Sequence, residues 1–247
     1  MLATELHPLL VQALQGCGKG PHATGEYLPC PTLQRLRALD ALEGLGKGMG
    51  LWLGEQTGEE KKMGSFEEEL RRLIKRNDSI GFDCERDPRT KRTTMLQFSD
   101  EHVVLIYRPI TTCNELPQCV IDLLQSTTVR KFFVDSKQDC EYILNNFKVS
   151  CKAVIDLQDE VREFGFGKPS LIALAQYFLH VNVPKNKDIS VSFHESSYES
   201  ELTSDQEKYA AVDAMMTHQV GQKVALIKAM SEVEQAWWVR KFTIVNA

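Results

Sequence analysis

Between Ser79 and Ile155 the chain changes rhythm once, and that change restricts the fold more than any other feature. Three short apolar runs come first: Ser79–Glu85, Thr93–Phe98 and His102–Tyr107. The loop Arg86–Arg92 joins the first two, and Asp100-Glu101 makes a two-residue turn between the second and third. Short apolar runs separated by turn residues predict an antiparallel meander. The pattern then alternates. Leu116–Leu124 reads as helix, Lys131–Asp135 as strand, Asp139–Phe147 as helix and Cys151–Ile155 as strand. The second helix carries Cys140, Ile143, Leu144 and Phe147 on one face. Strands that alternate with helices add to a sheet in parallel. The expectation is an α/β protein with a mixed five-stranded sheet, three antiparallel strands and then parallel ones, flanked by helices.

Helices frame this core. Phe66–Lys75 follows an N-cap at Ser65, and Ser170 caps a helix running to about Leu179. Pro184–Tyr198 is a polar loop. Thr203 with Gln206, or Ser204 with Glu207, forms a capping box for a last helix reaching about Glu234. Residues 1–65 differ: Leu6–Leu14 and Leu33–Leu42 have helical spacing, but Gly16–Gly20 and Gly44–Gly50 interrupt them. Neither Lys19 nor Lys47 is followed by Ser or Thr, so neither marks a phosphate loop. The predicted organisation is a poorly ordered extension over 1–65, a main domain over 66–235 and a tail over 236–247. In the tail, Trp237 and Trp238 are expected to pack back onto the domain, with docking of a protein partner as the alternative.

No apolar run approaches the ~18 residues of a membrane span, so no membrane role is expected. The first residues carry no basic segment or small-residue cleavage site, and the seven scattered cysteines show no CxxC pair. Both fit an intracellular protein, nuclear or cytoplasmic, with reduced thiols. A net charge of −5 is not the footprint of a constitutive nucleic-acid binder. Several acids, however, converge on one candidate site. Basic residues also cluster right behind the first acidic pair, at Arg86, Arg89, Lys91 and Arg92. That cluster reads either as a phosphate-contacting rim or as a solvated hairpin.

The acids carry the chemistry. Alternation along a strand turns Asp83 and Glu85 to one face, and Cys84 to the other, into the core. Helical spacing puts Tyr209 and Asp213 on a shared face. Asp139 lies between these pairs in the chain, just beyond the run Phe132-Phe133-Val134. Asp135 is its rival at the end of the same strand, where it would cap the next helix. Asp156 reads as structural. Four carboxylates aimed at one point repel each other unless cations sit between them. A two-metal phosphoryl-transfer site meets that requirement, with divalent ions about 3.5–4 Å apart.

The ordered set of motifs is Gly81-Phe82-Asp83-Cys84-Glu85, then Met95-Leu96-Gln97-Phe98, then Lys137-Gln138-Asp139-Cys140-Glu141-Tyr142-Ile143-Leu144, then Asp205-Gln206-Glu207-Lys208-Tyr209-Ala210-Ala211-Val212-Asp213-Ala214. This set resembles the DEDDy 3′–5′ exonucleases, the family of ribonuclease D and the Werner syndrome exonuclease. The likeness covers roughly residues 66–230, and Gly167–Leu171 is closer to the Werner-type branch. It implies a ribonuclease H-like fold, two Mg²⁺ or Mn²⁺ ions, and Asp83, Glu85, Asp139 and Asp213 as their ligands. It also implies that Tyr209, with Asp83 and Glu85, serves catalysis by positioning the attacking water. The family's histidine variant would place His where Lys208 stands. Spacing from Val134 in the Werner-type pattern favours Asp139 over Asp135. Three features depart from the pattern. Arg86 replaces an aromatic residue, Tyr198 or Phe193 must stand in for a tryptophan, and Glu201 replaces a proline.

The resemblance therefore implies a metal-dependent exonuclease acting at DNA or RNA 3′ ends and releasing nucleoside monophosphates. Arg86, Phe82 and Tyr198 are candidate substrate contacts. Phe98 and Phe166 are further stacking candidates, although core packing is the plainer reading of Phe82 and Phe98. The rival is a catalytically silent exonuclease-like module that binds RNA or protein.

Overall fold

The computed structural model describes residues 50–55, 60–87, 89–109, 115–181 and 202–243. Tyr198, Phe193, Glu201 and the helices expected within 6–14 and 33–42 lie outside the described residues. The sheet has six strands in the order β1-β4-β3-β2-β5-β6. They are β1 (Gly50–Glu55), β2 (Ser79–Arg86), β3 (Thr93–Ser99), β4 (Val103–Arg108), β5 (Arg130–Phe133) and β6 (Val154–Asp156). β2, β3 and β4 form the expected antiparallel meander. β5 joins β2 in parallel and β6 joins β5 in parallel. This is the ribonuclease H-like arrangement.

Seven α-helices and one 3₁₀ turn (Arg162–Phe164) accompany the strands among the described residues; the α-helices are α1 (Glu60–Arg76), α2 (Gln118–Gln125), α3 (Ser136–Phe147), α4 (Leu157–Glu160), α5 (Leu171–Leu179), α6 (Ser204–Lys228) and α7 (Glu232–Thr243). No helix among the described residues is long and apolar enough to cross a membrane.

Two boundaries differ from expectation. β1 pairs in parallel with β4, from Gly50 opposite Val103 to Glu55 opposite Arg108, and α1 begins at Glu60. The segment 50–65 therefore belongs to the fold and not to an extension ending at 65. Leu51-Trp52-Leu53 is a three-residue apolar run between glycines, too short to announce a strand whose partner lies some fifty positions on. At the other end α6 stops at Lys228, short of Glu234. The Glu234 carboxylate accepts from the Ser231 amide at 2.9 Å and from its hydroxyl at 2.7 Å, which starts α7. The Ser-x-x-Glu spacing that marks this start is in the sequence.

The sheet is packed on both faces. On one face Phe66, Leu70 and Leu73 of α1 and Val120, Leu123 and Leu124 of α2 meet Ile80 and Phe82 of β2, Phe98 of β3 and Phe133 of β5. Phe82 lies 4.5 Å from Phe133 and 5.2 Å from Phe98, ring centre to ring centre. Each such buried ring contributes roughly 1.5–3 kcal/mol. On the other face α5, α6 and α7 gather around Phe132, Phe178, Val220 and Trp238. Trp238 is 7% exposed, stacks on Phe178 at 5.3 Å and meets Tyr177 edge-on. Trp238 is thus part of the core, which removes it as a docking patch; it packs back onto the domain from within α7, so 236–243 is not a tail.

Candidate active site

The site forms where β2 passes beneath α6. Strand alternation sends Ile80, Phe82 and Cys84 into the α1–α2 core and Gly81, Asp83 and Glu85 toward α6. Gly81 sets the approach. A Cβ there would stand 2.3 Å from the Ala214 carbonyl oxygen and 2.4 Å from the His218 nitrogen. Both are backbone atoms that cannot swing aside, so only glycine lets the helix lie this close. One turn further on, Gly221 does the same over the Phe132 ring, at 2.3 Å. The capping box of Thr203 and Gln206 fixes where α6 begins. The Thr203 amide donates to Gln206 Oε1 at 2.9 Å, and the Gln206 amide donates to the Thr203 hydroxyl at 3.3 Å. The phase set by this start and the contact at Gly81 together bring Asp213 over the strand.

As a result, one carboxylate oxygen from each of Asp83, Glu85 and Asp213 lies within 4.8 Å of the other two. Asp139, in the first turn of α3, flanks this trio. Burial pushes the Asp83 carboxyl up to about 7, against a hydrogen bond from the Cys84 amide that favours its charge. Glu85 is raised by burial and then by the charges of Asp83, Asp213 and Asp139, with Arg86 in opposition. Burial and the Asp83 charge push Asp139 up to about 8, opposed by a hydrogen bond from the Cys84 thiol and by Arg86. Burial raises Asp83, Glu85 and Asp139, and the charges of neighbouring acids add to it at Glu85 and Asp139.

The other expected residues are placed as follows. Tyr209 sits one turn before Asp213, half-buried against the cluster of Met95, Val104, Ile106 and Met215. Asp135, at the N-cap of α3, is exposed, has a left-handed backbone (φ 65°) and makes no side-chain cap bond. Asp156 does the capping instead. It accepts from the Ser136 amide at 2.7 Å and hydroxyl at 2.8 Å, and from the Gln158 amide at 2.9 Å, which is the structural role expected of it.

Phe82 is 1% exposed and wedged between two core rings, so it is not a substrate contact. Phe98 is fully buried, and Phe166 packs edge-on against Tyr177 at 4.3 Å. Arg86 does not point into open solvent; its guanidinium lies 4.6 Å from the centre of the Tyr142 ring.

One site residue was not anticipated. Gln97 is fully buried on β3, directly opposite Asp83 in the antiparallel register. With its nitrogen turned toward the acid, its amide donates to Asp83 Oδ2 at 3.1 Å and to the Asp83 carbonyl at 3.2 Å. A lone glutamine inside Met95-Leu96-Gln97-Phe98 was the available signal, because a buried amide requires a partner.

The 3′–5′ exonuclease family model matches residues 62–227. No curated protein matches the sequence. Among solved structures, Trypanosoma brucei RNase D in complex with GMP superposes with a TM-score of 0.62 at 16% identity, covering 81% of this chain and 66% of that one. The same enzyme in complex with RNA U12 gives 0.59 at 15% identity, covering 83% and 74%. Brucella melitensis NrnC bound to pGG gives 0.56 at 14% identity, covering 79% and 89%. These similarities concern the fold. The family match spans strands β2 to β6, α3 and α6 as far as residue 227, and so includes every acid of the candidate site: the chain belongs to the 3′–5′ exonuclease family.

Proposed function

We propose that this protein is a metal-dependent 3′–5′ exonuclease that releases nucleoside monophosphates from a single-stranded or frayed nucleic-acid end. The observation that carries the proposal is the convergence of Asp83, Glu85 and Asp213, with Asp139 alongside, in one half-buried site where burial and neighbouring acids raise Glu85 and Asp139. The donor set consists of carboxylate oxygens, the hard ligands suited to Mg²⁺ and Mn²⁺. Asp83, Glu85, Asp139 and Asp213 would hold two such ions, which when bound would neutralise charge on the phosphate and polarise its oxygens.

The chain's own groups supply the rest. Gln97 holds the Asp83 carboxylate in one orientation. Tyr209, one helical turn from Asp213, directs the attacking water through its hydroxyl. Water adds to the terminal phosphorus, the bond from phosphorus to the preceding 3′ oxygen breaks, and the last nucleotide leaves as its 5′-monophosphate. Support for the substrate class comes from the ligands of the structural neighbours: pGG on NrnC, and GMP and RNA U12 on RNase D.

The test uses matched DNA and RNA oligonucleotides with Mn²⁺, with products read by mass spectrometry. The wild type is expected to shorten one or both strands stepwise from the 3′ end. Asp83→Asn and Asp213→Asn should each lose several kcal/mol of transition-state stabilisation, on the order of 10³-fold in rate. Equal degradation by wild type and variants would assign the activity elsewhere. Oligonucleotide binding without hydrolysis under Mn²⁺ would establish the silent binding module instead.

A further inference from the structure

A groove of about 440 Å³ runs between the β2–β3 hairpin and α3, lined by Thr90, Lys91, Arg92, Tyr142, Asn145 and Asn146. It is linked to the acids through two residues close to them in the sequence. Tyr142 follows Asp139 by three residues on α3, and Arg86 follows Glu85 on β2. The Arg86 guanidinium links the two regions: it lies 4.6 Å from the Tyr142 ring centre, and its charge acts on both Glu85 and Asp139. From Asp139 to Asn146 the helix rises about 10 Å, so the groove carries on from the acids along α3.

Both walls are fixed. Asp87, buried at the hairpin base, accepts from the Arg89 amide and from the Thr90 hydroxyl, each at 2.8 Å. The Lys91 amide donates to the Asp87 carbonyl at 2.8 Å, and the Asp87 amide donates to the Arg92 carbonyl at 2.9 Å. Lys91 takes a left-handed backbone (φ 59°) to close the turn. Asn146 ties the hairpin to the helix. Its oxygen accepts from the Thr93 amide at 3.2 Å, and its nitrogen donates to the Lys91 carbonyl at 3.3 Å and the Tyr142 carbonyl at 2.8 Å. The lining holds two cations, amides, a hydroxyl and an aromatic ring, and no carboxylate. In a chain of net charge −5 this is a local reversal of sign. Cations with amide donors suit phosphodiester oxygens, and an aromatic ring suits a base.

We propose that this groove grips the single strand upstream of the terminal nucleotide, with Lys91 and Arg92 on phosphates and Arg86 stacked on Tyr142 marking the junction with the site. The proposal rests on the exonuclease reading for its direction, but not for its test. Anisotropy of a labelled single strand of about 10 nucleotides is measured on the full chain in EDTA, across a salt series. Arg71→Gln on α1 serves as the control for loss of surface charge.

The double variant Lys91→Gln/Arg92→Gln should bind about 10-fold more weakly, and the salt slope should fall by roughly 0.7 per cation removed. In Mn²⁺ its loss of hydrolysis should be larger on the long strand than on a dinucleotide. Asn145→Asp, an exposed helical change that puts an anion into the groove, should weaken binding in the same sense and serves if the hairpin variant misfolds. Binding and salt slope equal to those of Arg71→Gln would overturn the groove assignment, as would a loss as large on the dinucleotide as on the long strand. Absence of hydrolysis by the wild type would sink the exonuclease reading alone, since the binding arm in EDTA still decides the groove.

Discussion

Two of the buried carboxylate sites on this sheet are built in opposite ways. Asp100, at the β3–β4 turn, is completely buried and completely answered. Its Oδ2 accepts from Arg76 at 3.0 and 2.6 Å and from Asn77 at 2.7 Å, and its Oδ1 from the amides of His102 at 2.7 Å and Val103 at 2.8 Å. Burial alone would raise this acid, but those bonds hold it below the ordinary aspartate range. Asp83, Glu85 and Asp139 are raised instead, by burial first and, at Glu85 and Asp139, by the charges of neighbouring acids. Asp100 ties a hairpin to the end of α1, a job that its five donors complete. The proposed function assigns the balancing of the candidate site's acids to bound cations. Burial alone therefore does not tell the two sites apart; the direction in which the carboxyls are shifted does.

The sharpest way to break the comparison is to remove one acid from each site and measure urea unfolding in EDTA. Asp100→Ala leaves Arg76 and two turn amides without their acceptor and should cost about 3 kcal/mol. Asp83→Asn removes one charge from a repelling set and should cost nothing, or stabilise by about 1 kcal/mol. Losses of equal size would mean that the acid cluster is as structural as the turn.

A pH series on the metal-free protein tests the same contrast with opposite signs. The Asp100 pKa is lowered by folding, so its stabilisation is present above the unfolded value of about 3.9 and is lost as pH falls through the folded value. The Asp83 pKa is raised to about 7. The folded state therefore binds the extra proton, and stability falls as pH rises from about 4 toward 7. In EDTA, Asp83→Asn should flatten the decline between those limits, whereas Asp100→Ala should flatten the acid limb below it. With Mn²⁺ in excess the neutral-side decline should disappear in the wild type. A wild-type profile indifferent to Mn²⁺ would argue against a cation at this site.

The parts of the fold legible in the sequence are those governed by local chemistry. The meander and alternating strands follow from runs of apolar residues, and the start of α6 from Thr203 and Gln206, whose box forms as expected. Tyr209 and Asp213 share a face because helices have a fixed pitch. What was hidden depends on partners distant in the chain. β1 needs β4 to be a strand at all. Phe82 looks like a stacking residue beside the acids until strand alternation and the rings of Phe98 and Phe133 claim it. Nothing in the sequence around Gly81 announces the helix that lies against it. Trp238 reads as a tail residue until Phe178 and Tyr177 receive it.

Gln97 gives the smallest expected effect and the finest probe of the comparison, because its side chain donates directly to Asp83. Asp100 draws on two such side chains, Arg76 and Asn77; Asp83 draws on this amide, and the register of β3 opposite β2 places it. An amide that orients a ligand acts through that ligand, and such outer contacts typically change metal affinity or activity by about 10- to 100-fold. Gln97→Met keeps the length and removes the donor, so folding stability should fall by about 1 kcal/mol. The Mn²⁺ concentration for half-maximal hydrolysis should rise by about 10-fold, more than the maximal rate falls. A change in stability with no change in Mn²⁺ dependence would make Gln97 a packing residue like its neighbours Leu96 and Phe98. A change in Mn²⁺ dependence that Gln97→Glu does not repair would show that the site needs a neutral donor there, since a second anion opposite Asp83 adds to the repulsion that raises Glu85 and Asp139 and that Asp100 does not meet.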